Sequence, residues 1–266
     1  MIDISKIDYS LLDRPEILMF LFHPRAEWGS PGASLSAEDI LIQVEEDVAV
    51  GARFHLAEKK DAPTILFFHG NGEIVGDYND IGPLYTKMGI NFFPVDYRGY
   101  GRSTGTPTIT SMMKDSHIIF GYVQNWLKDR GCTGPFIVMG RSLGSASALE
   151  LSAHYRDAIN GLIIESGFAY AGPLLRLLGI EMERLGIQEE DGFRNIDKIA
   201  TFHKPTLIIH AENDHIISFT EGKDLYDACP AADKKLLTIP GANHNDIFLR
   251  GITAYMEAVQ DFIMML

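Results

Sequence analysis

Six short apolar runs recur along the chain: "TILFFHG" (64–70), "INFFPVDYRGYG" (90–101), "FIVMG" (136–140), "GLIIESG" (161–167), "TLIIHAEND" (206–214) and "KKLLTIPGANH" (234–244). Stretches of helical character lie between and after them, at 78–88, 109–128, 142–155, 221–229 and 247–265. Runs this apolar leave no face for water, so each strand must be covered by helices on both sides. Repeated strand–helix alternation therefore predicts an α/β fold: a mostly parallel sheet with helices on both faces. Ahead of it, residues 40–58 read as two β-runs turning at Glu46-Asp47, a hairpin.

In such sheets ligands sit outside the carboxyl ends of the strands. Those ends carry the polar residues here: His69-Gly70-Asn71-Gly72, Asp96, Ser142, Glu165-Ser166, Asp214 and His244. Ser142 stands in "GRSLG", with Gly140 and Gly144 two residues away on each side. Glycines so placed allow strand exit and helix start to approach closely, and the central serine is then held proud of the sheet in a strained conformation. The plainer alternative is a βα turn in which Ser142 only caps the helix.

The bulk composition narrows the partners. A 266-residue chain with 46% hydrophobic residues can bury one large core, and no Pro/Gly/Ser linker divides it. We therefore expect a single domain over 1–266, with a helical insertion near 168–199 that breaks the alternation and reads as a short lid. A net charge of −13 argues against nucleic acid and against docking on anionic membranes. The start, "MIDISKIDYS", has no basic stretch leading into an apolar one, and the apolar run 17–22 is too short to span a bilayer. No targeting segment or membrane anchor is expected, and the run 17–22 is assigned to the core. Cys132 and Cys229 share no metal or disulfide spacing and read as free thiols of a cytoplasmic protein. Nothing in the sequence fixes an oligomeric state.

Acyl transfer by a neutral serine needs a base, an acid to orient the base, and donors for the oxyanion. His244, on the loop after the last strand, is the candidate base; His215 reads as a surface residue. Asp214, 30 residues earlier at the end of the penultimate strand, is the favoured acid, with Glu165 as the alternative. The backbone N–H of Leu143, at a helix start, and that of Asn71, in "HGNG", are the expected oxyanion donors. Phe168, Leu174, Leu175, Leu177 and Leu178 in the insertion are expected to wall an apolar acyl slot, while Glu181, Glu183, Glu189 and Glu190 read as a solvated face. Arg141 either contacts an acidic substrate or pairs with a carboxylate. There is no P-loop, no dinucleotide glycine fingerprint, no H-E-x-x-H and no Cys/His cluster, so neither cofactor nor metal is expected.

With these residues in place, the chain resembles the α/β-hydrolase superfamily over nearly its whole length, in the chain order Ser142, Asp214, His244. "HGNG", "DYRGYGRS", "GRSLGSA", "FRNIDKIATFHKPTLIIHAENDHII" and "GANHND" are similar to the compact abhydrolase-domain branch, which includes the serine-aminopeptidase-like group and the protein depalmitoylases. The resemblance implies a structural role for Asp96 and Arg98 in pinning loops near the elbow. Depalmitoylases dock on membranes through cysteine-rich N-termini, whereas no cysteine precedes Cys132 here. The expected substrate is a small acyl ester of short to medium chain, or a thioester. An aminopeptidase and a non-catalytic sensor or scaffold are the remaining alternatives.

Overall fold

The computed structural model describes residues 6–27 and 37–266. The first five residues, part of the stretch read for targeting, lie outside the described residues. One eight-stranded sheet organises the chain, comprising β1 (Ala37–Glu45), β2 (Val48–His55), β3 (Thr64–Phe68), β4 (Asn91–Val95), β5 (Phe136–Arg141), β6 (Gly161–Glu165), β7 (Thr206–Ala211) and β8 (Lys234–Ile239). Their spatial order is β1-β2-β4-β3-β5-β6-β7-β8. β1 and β2 form the hairpin and β2 meets β4 antiparallel; every other pairing is parallel.

Side-chain alternation in the strands builds two cores. Leu66, Phe68 and Val138 face one layer with α3 (Ile109–Asp129), α4 (Gly144–His154) and α7 (Phe219–Ala228). Ile65, Phe67, Ile137 and Met139 face the other, with α2 (Gly82–Lys87) and α8 (Ile247–Met264). Because a strand sends successive residues to opposite faces, a fully apolar run feeds both cores. α3 begins on a capping box in which Thr108 Oγ1 accepts from Ser111 N at 3.0 Å. Gly251 interrupts α8 with non-helical torsions, and a Cβ there would stand 2.5 Å from Ile239 on β8.

Three expectations change in detail. Within 78–88 only α2 is α-helical; Tyr78 ends a 3-10 turn, Val75–Tyr78, and the helix starts late because Pro83 fits its first turn and not its interior. The insertion is not continuously helical: α5 (Ala171–Leu177) and α6 (Asn195–Ile199) flank two 3-10 turns, and Gly179 and Gly186 break the path at φ 80° and 69°. The run 17–22 belongs to a short helix, α1 (Pro15–Leu21); Ile17, Leu21 and Phe22 are buried, but Met19 and Phe20 are exposed.

The parallel register aligns the strand ends that matter. Phe68 pairs with Gly140, Arg141 with Glu165, Glu165 with Ile209, and Ala211 with Ile239. The residues that follow, including His69, Ser142, Asp214 and His244, therefore emerge along one edge of the sheet.

Candidate active site

Ser142 leaves β5 in the left-handed region, at φ 51°. A Cβ on Gly140 would lie 2.3 Å from Gly144 O, and one on Gly144 would lie 2.1 Å from Phe68 O. No side chain fits at either position, which is why the motif is closed by glycine on both sides. The turn is held by Ser142 N donating to Glu165 O (2.9 Å) and by Ser145 Oγ donating to Ser142 O (2.6 Å).

Three separate loops meet at this serine. His244 Nε2 lies 2.9 Å from Ser142 Oγ, and His244 Nδ1 lies 2.7 Å from Asp214 Oδ2. The partners assign the tautomer: Nδ1–H donates to the carboxylate and Nε2 accepts from the hydroxyl. Asp214 Oδ1 is fixed by the N–H groups of Ile216 (3.0 Å) and Ile217 (2.8 Å), so Oδ2 is turned to the histidine. Burial alone would raise the Asp214 pKa; the hydrogen bond from His244 and those two N–H groups outweigh it and hold the carboxyl below its ordinary value. His215 borders a neighbouring cavity and has no contact with Ser142 among the bonds of the described residues.

Glu165 has a different partner set. Its Oε1 lies 3.2 Å from Arg141 Nη1, and its Oε2 accepts from Tyr255 OH at 2.7 Å. Arg141 also donates from Nε to Glu73 Oε1 (2.8 Å) and from Nη2 to the backbone carbonyl of His244 (3.0 Å). Arg141 is thus paired with carboxylates. Glu73 Oε2 accepts from Gly70 N (2.7 Å) and Tyr78 OH (2.6 Å), extending the network to the loop after β3. Burial lifts the Glu165 pKa above normal despite the Arg141 charge; in Glu73 burial is outweighed by the Arg141 charge together with the bonds from Tyr78 OH and Gly70 N and the nearby His69, and the pKa is lowered.

The loop after β3 is tied on its other side as well. Asn71 Oδ1 accepts from His23 N (2.9 Å) and Tyr100 OH (2.6 Å), and the residue lines the cavity beside Ser142. Asp96 Oδ1 accepts from Val75 N at 2.9 Å, and Arg98 grips Asp115 on α3 with two bonds of 2.7 and 2.8 Å. Both residues hold loops.

A cavity of about 190 Å³ opens on Ser142. Asn71, Glu73, His244 and Asn245 supply its polar lining beside the serine, and Leu21, Leu143, Leu174, Leu178 and Ile216 its apolar lining. Across Leu174 and Ile216 lies a second cavity of about 220 Å³, bordered by Phe168, Leu177, Asp214 and Glu221. Of the expected slot residues, Leu174 and Leu178 face the serine cavity, while Phe168 and Leu177 face the second. Leu175 faces neither: it is fully buried in the core, because on α5 positions 174 and 178 share a face that the intervening residue does not. Glu189 is also not simply solvated, since its two oxygens accept from Ala171 N (2.6 Å) and Gly172 N (2.8 Å) at the start of α5. Sequence reading missed Leu21, Ile216 and Glu73 as lining residues; the apolar run at 17–22 was the available signal for the first.

The sheet order, the glycine-flanked serine and the serine–histidine–aspartate row define an α/β-hydrolase. The fold is shared with an esterase from Pyrococcus furiosus, Pf2001, at TM-score 0.72 and 18% identity over 91% of this chain and 98% of that one. Est1E from Butyrivibrio proteoclasticus, with ferulic acid bound, matches at TM-score 0.70 and 19% identity, covering 85% of this chain and 98% of that one. At these identities the likeness is one of fold. The profile of the family described as serine aminopeptidase, S33, matches residues 59–186 and 191–248. Alpha/beta hydrolase domain-containing protein 17C of Xenopus tropicalis is 30% identical over 247 residues, 90% of this chain and 74% of its own length. The chain belongs to this serine aminopeptidase-like family of hydrolases. No helix among the described residues is long and apolar enough to cross a membrane.

Proposed function

We propose that the chain is a serine hydrolase that cleaves carboxylic esters of short to medium acyl chains through an acyl-enzyme. The observation that carries this reading is the continuous row Asp214 Oδ2, His244 Nδ1, His244 Nε2, Ser142 Oγ, with links of 2.7 and 2.9 Å. Ser142 Oγ attacks the ester carbonyl as its proton passes to His244 Nε2, and the Asp214 carboxylate stabilises the imidazolium. The developing oxyanion is received by the N–H groups of Leu143 and Asn71, two residues that line the same cavity. His244 then gives its proton to the departing alcohol. A water, deprotonated by the same nitrogen, hydrolyses the Ser142 ester and releases the acid.

The small size of the cavity supports a short acyl group. Labelling of the purified chain with a fluorophosphonate tests the reading directly. Stoichiometric labelling that is lost in Ser142→Ala is expected; absence of labelling in the folded native chain overturns it. Paired oxygen and thiol esters of the same acyl group then decide between esterase and thioesterase.

A further inference from the structure

A second cluster of reactive side chains lies on the far part of α4. Glu150 and His154 are one turn apart and share a helix face; His117 meets them from α3. Glu150 is six residues into α4 from Gly144, about 9 Å along the helix at 1.5 Å per residue. One potential ligand atom from each of the three residues lies within 4.8 Å of the others. His117 Nε2 is 3.3 Å from Glu150 Oε1, and His154 Nδ1 is 3.6 Å from the same oxygen. Bonds of about 2.0–2.1 Å in a tetrahedral site set ligand atoms about 3.4 Å apart. Two edges of the triangle, at 3.3 and 3.6 Å, are already near that length, and the third, between the two imidazoles, is at most 4.8 Å and has to shorten on ligation.

The surroundings favour the same use. Glu150 Oε2 is taken by Lys198 Nζ (2.7 Å) and Tyr9 OH (2.6 Å), which leaves Oε1 turned to the imidazoles. His117 Nδ1 lies 3.0 Å from Tyr155 OH, an outer partner that orients the ring with Nε2 toward Glu150. His154 Nδ1 lies 2.9 Å from the Glu150 backbone carbonyl, a contact the ring gives up on ligation. The side chains of His117 and His154 are 27% and 22% exposed, so a fourth position stays open to water and an ion can reach it.

We propose that His117, Glu150 and His154 form a binding site for a borderline transition-metal dication such as Zn²⁺. Two imidazoles and one carboxylate suit zinc and its neighbours, whereas magnesium and calcium prefer all-oxygen shells. The ammonium of Lys198 beside Oε2 makes the site weaker than the same three ligands would be alone. His117 lies 33 residues before Glu150, so no local spacing motif announces the cluster. The proposal does not depend on the serine chemistry.

The test is calorimetric titration of the chelator-stripped full chain with Zn²⁺, with Co²⁺ absorption as a report of tetrahedral ligation. One equivalent is expected to bind saturably. His117→Gln and His154→Gln, which preserve size and polarity, should each lose that binding, and Tyr155→Phe should weaken it about 10–100-fold. His203→Ala, at an exposed histidine elsewhere, and Asp214→Asn should bind as the native chain does. Circular dichroism checks each variant, with His117→Asn or His154→Asn replacing any that fails to fold. Absence of saturable binding in the native chain, binding unchanged in both glutamine variants, or loss of binding in Asp214→Asn overturns the proposal.

Discussion

Arg141 Nη2 donates to the backbone carbonyl of His244 at 3.0 Å, although the two residues are 103 positions apart. The residue next to Ser142 therefore fixes the loop that delivers the histidine. The same guanidinium holds Glu73 and Glu165, so one buried side chain ties together the ends of β5 and β6 and the loops after β3 and β8. Positioning of His244 is built into the motif that carries Ser142.

Arg141→Met is expected to leave Glu73 and Glu165 without their countercharge. Breaking a buried pair from one side costs about 3–5 kcal/mol, to be read from urea denaturation. Arg141→Lys, which keeps the charge but not the three-pronged geometry, should fall between. A stability of Arg141→Met within about 1 kcal/mol of native would contradict this account of the network.

The partner sets of the two candidate acids predict different losses. Asp214→Asn removes the acceptor that selects the His244 tautomer and should lower kcat on the order of 10⁴-fold. Glu165→Gln leaves the Asp214–His244 bond intact; its main effect should be a lower melting temperature. Comparison of kcat and Tm for the two variants, with Ser142→Ala as the background, checks the assignment.

Acyl-chain preference should follow the serine cavity. Each methylene accommodated contributes about 0.8 kcal/mol, so kcat/KM should climb from acetyl and then turn over at short to medium length. Leu174→Ala or Leu178→Ala should move the turnover to longer chains. Leu175→Ala should instead cost about 2–5 kcal/mol of stability, as for other buried leucines. A preference rising without a break to palmitoyl esters would rule out the small slot.

Stability should also depend on pH through His55. Burial, reinforced by the nearby Arg53 charge, pulls its pKa down to about 4 from the ordinary 6.5. Between those values the unfolded chain binds a proton that the folded chain does not. The contribution is therefore complete above pH 6.5 and is lost as pH falls toward about 4. Urea midpoints measured from about pH 7 to about pH 5 should fall, and His55→Phe should flatten the slope in that window. An unchanged slope in the variant would refute the attribution.

What was legible in the sequence was what repeats or is sterically compelled. The apolar runs announced the six later strands and the hairpin. The glycines beside Ser142 announced an elbow, because no other residue fits where a Cβ would meet Gly144 O or Phe68 O. The sequence leaves the role of Arg141 open, since its partners Glu73 and Glu165 come from other strand ends and only the sheet register brings them together. Leu175 and Leu178 looked equivalent in a leucine-rich stretch; a helix face separates them. Leu21 escaped notice as a cavity residue because its helix lies outside the alternating pattern.

That last residue couples two parts of the chain that lie far apart in sequence. The wall supplied by Leu21 rides on α1, ahead of the hairpin and of residue 59, where the family match begins. Ser142, Asp214 and His244 all ride on the repeating body behind it. One wall of the serine cavity thus comes from outside that body, while Leu174, Leu178 and Ile216 come from within it. Because His23, just beyond α1, also donates to the Asn71 side chain, a change in this leading segment reaches the cavity wall and the loop after β3 together.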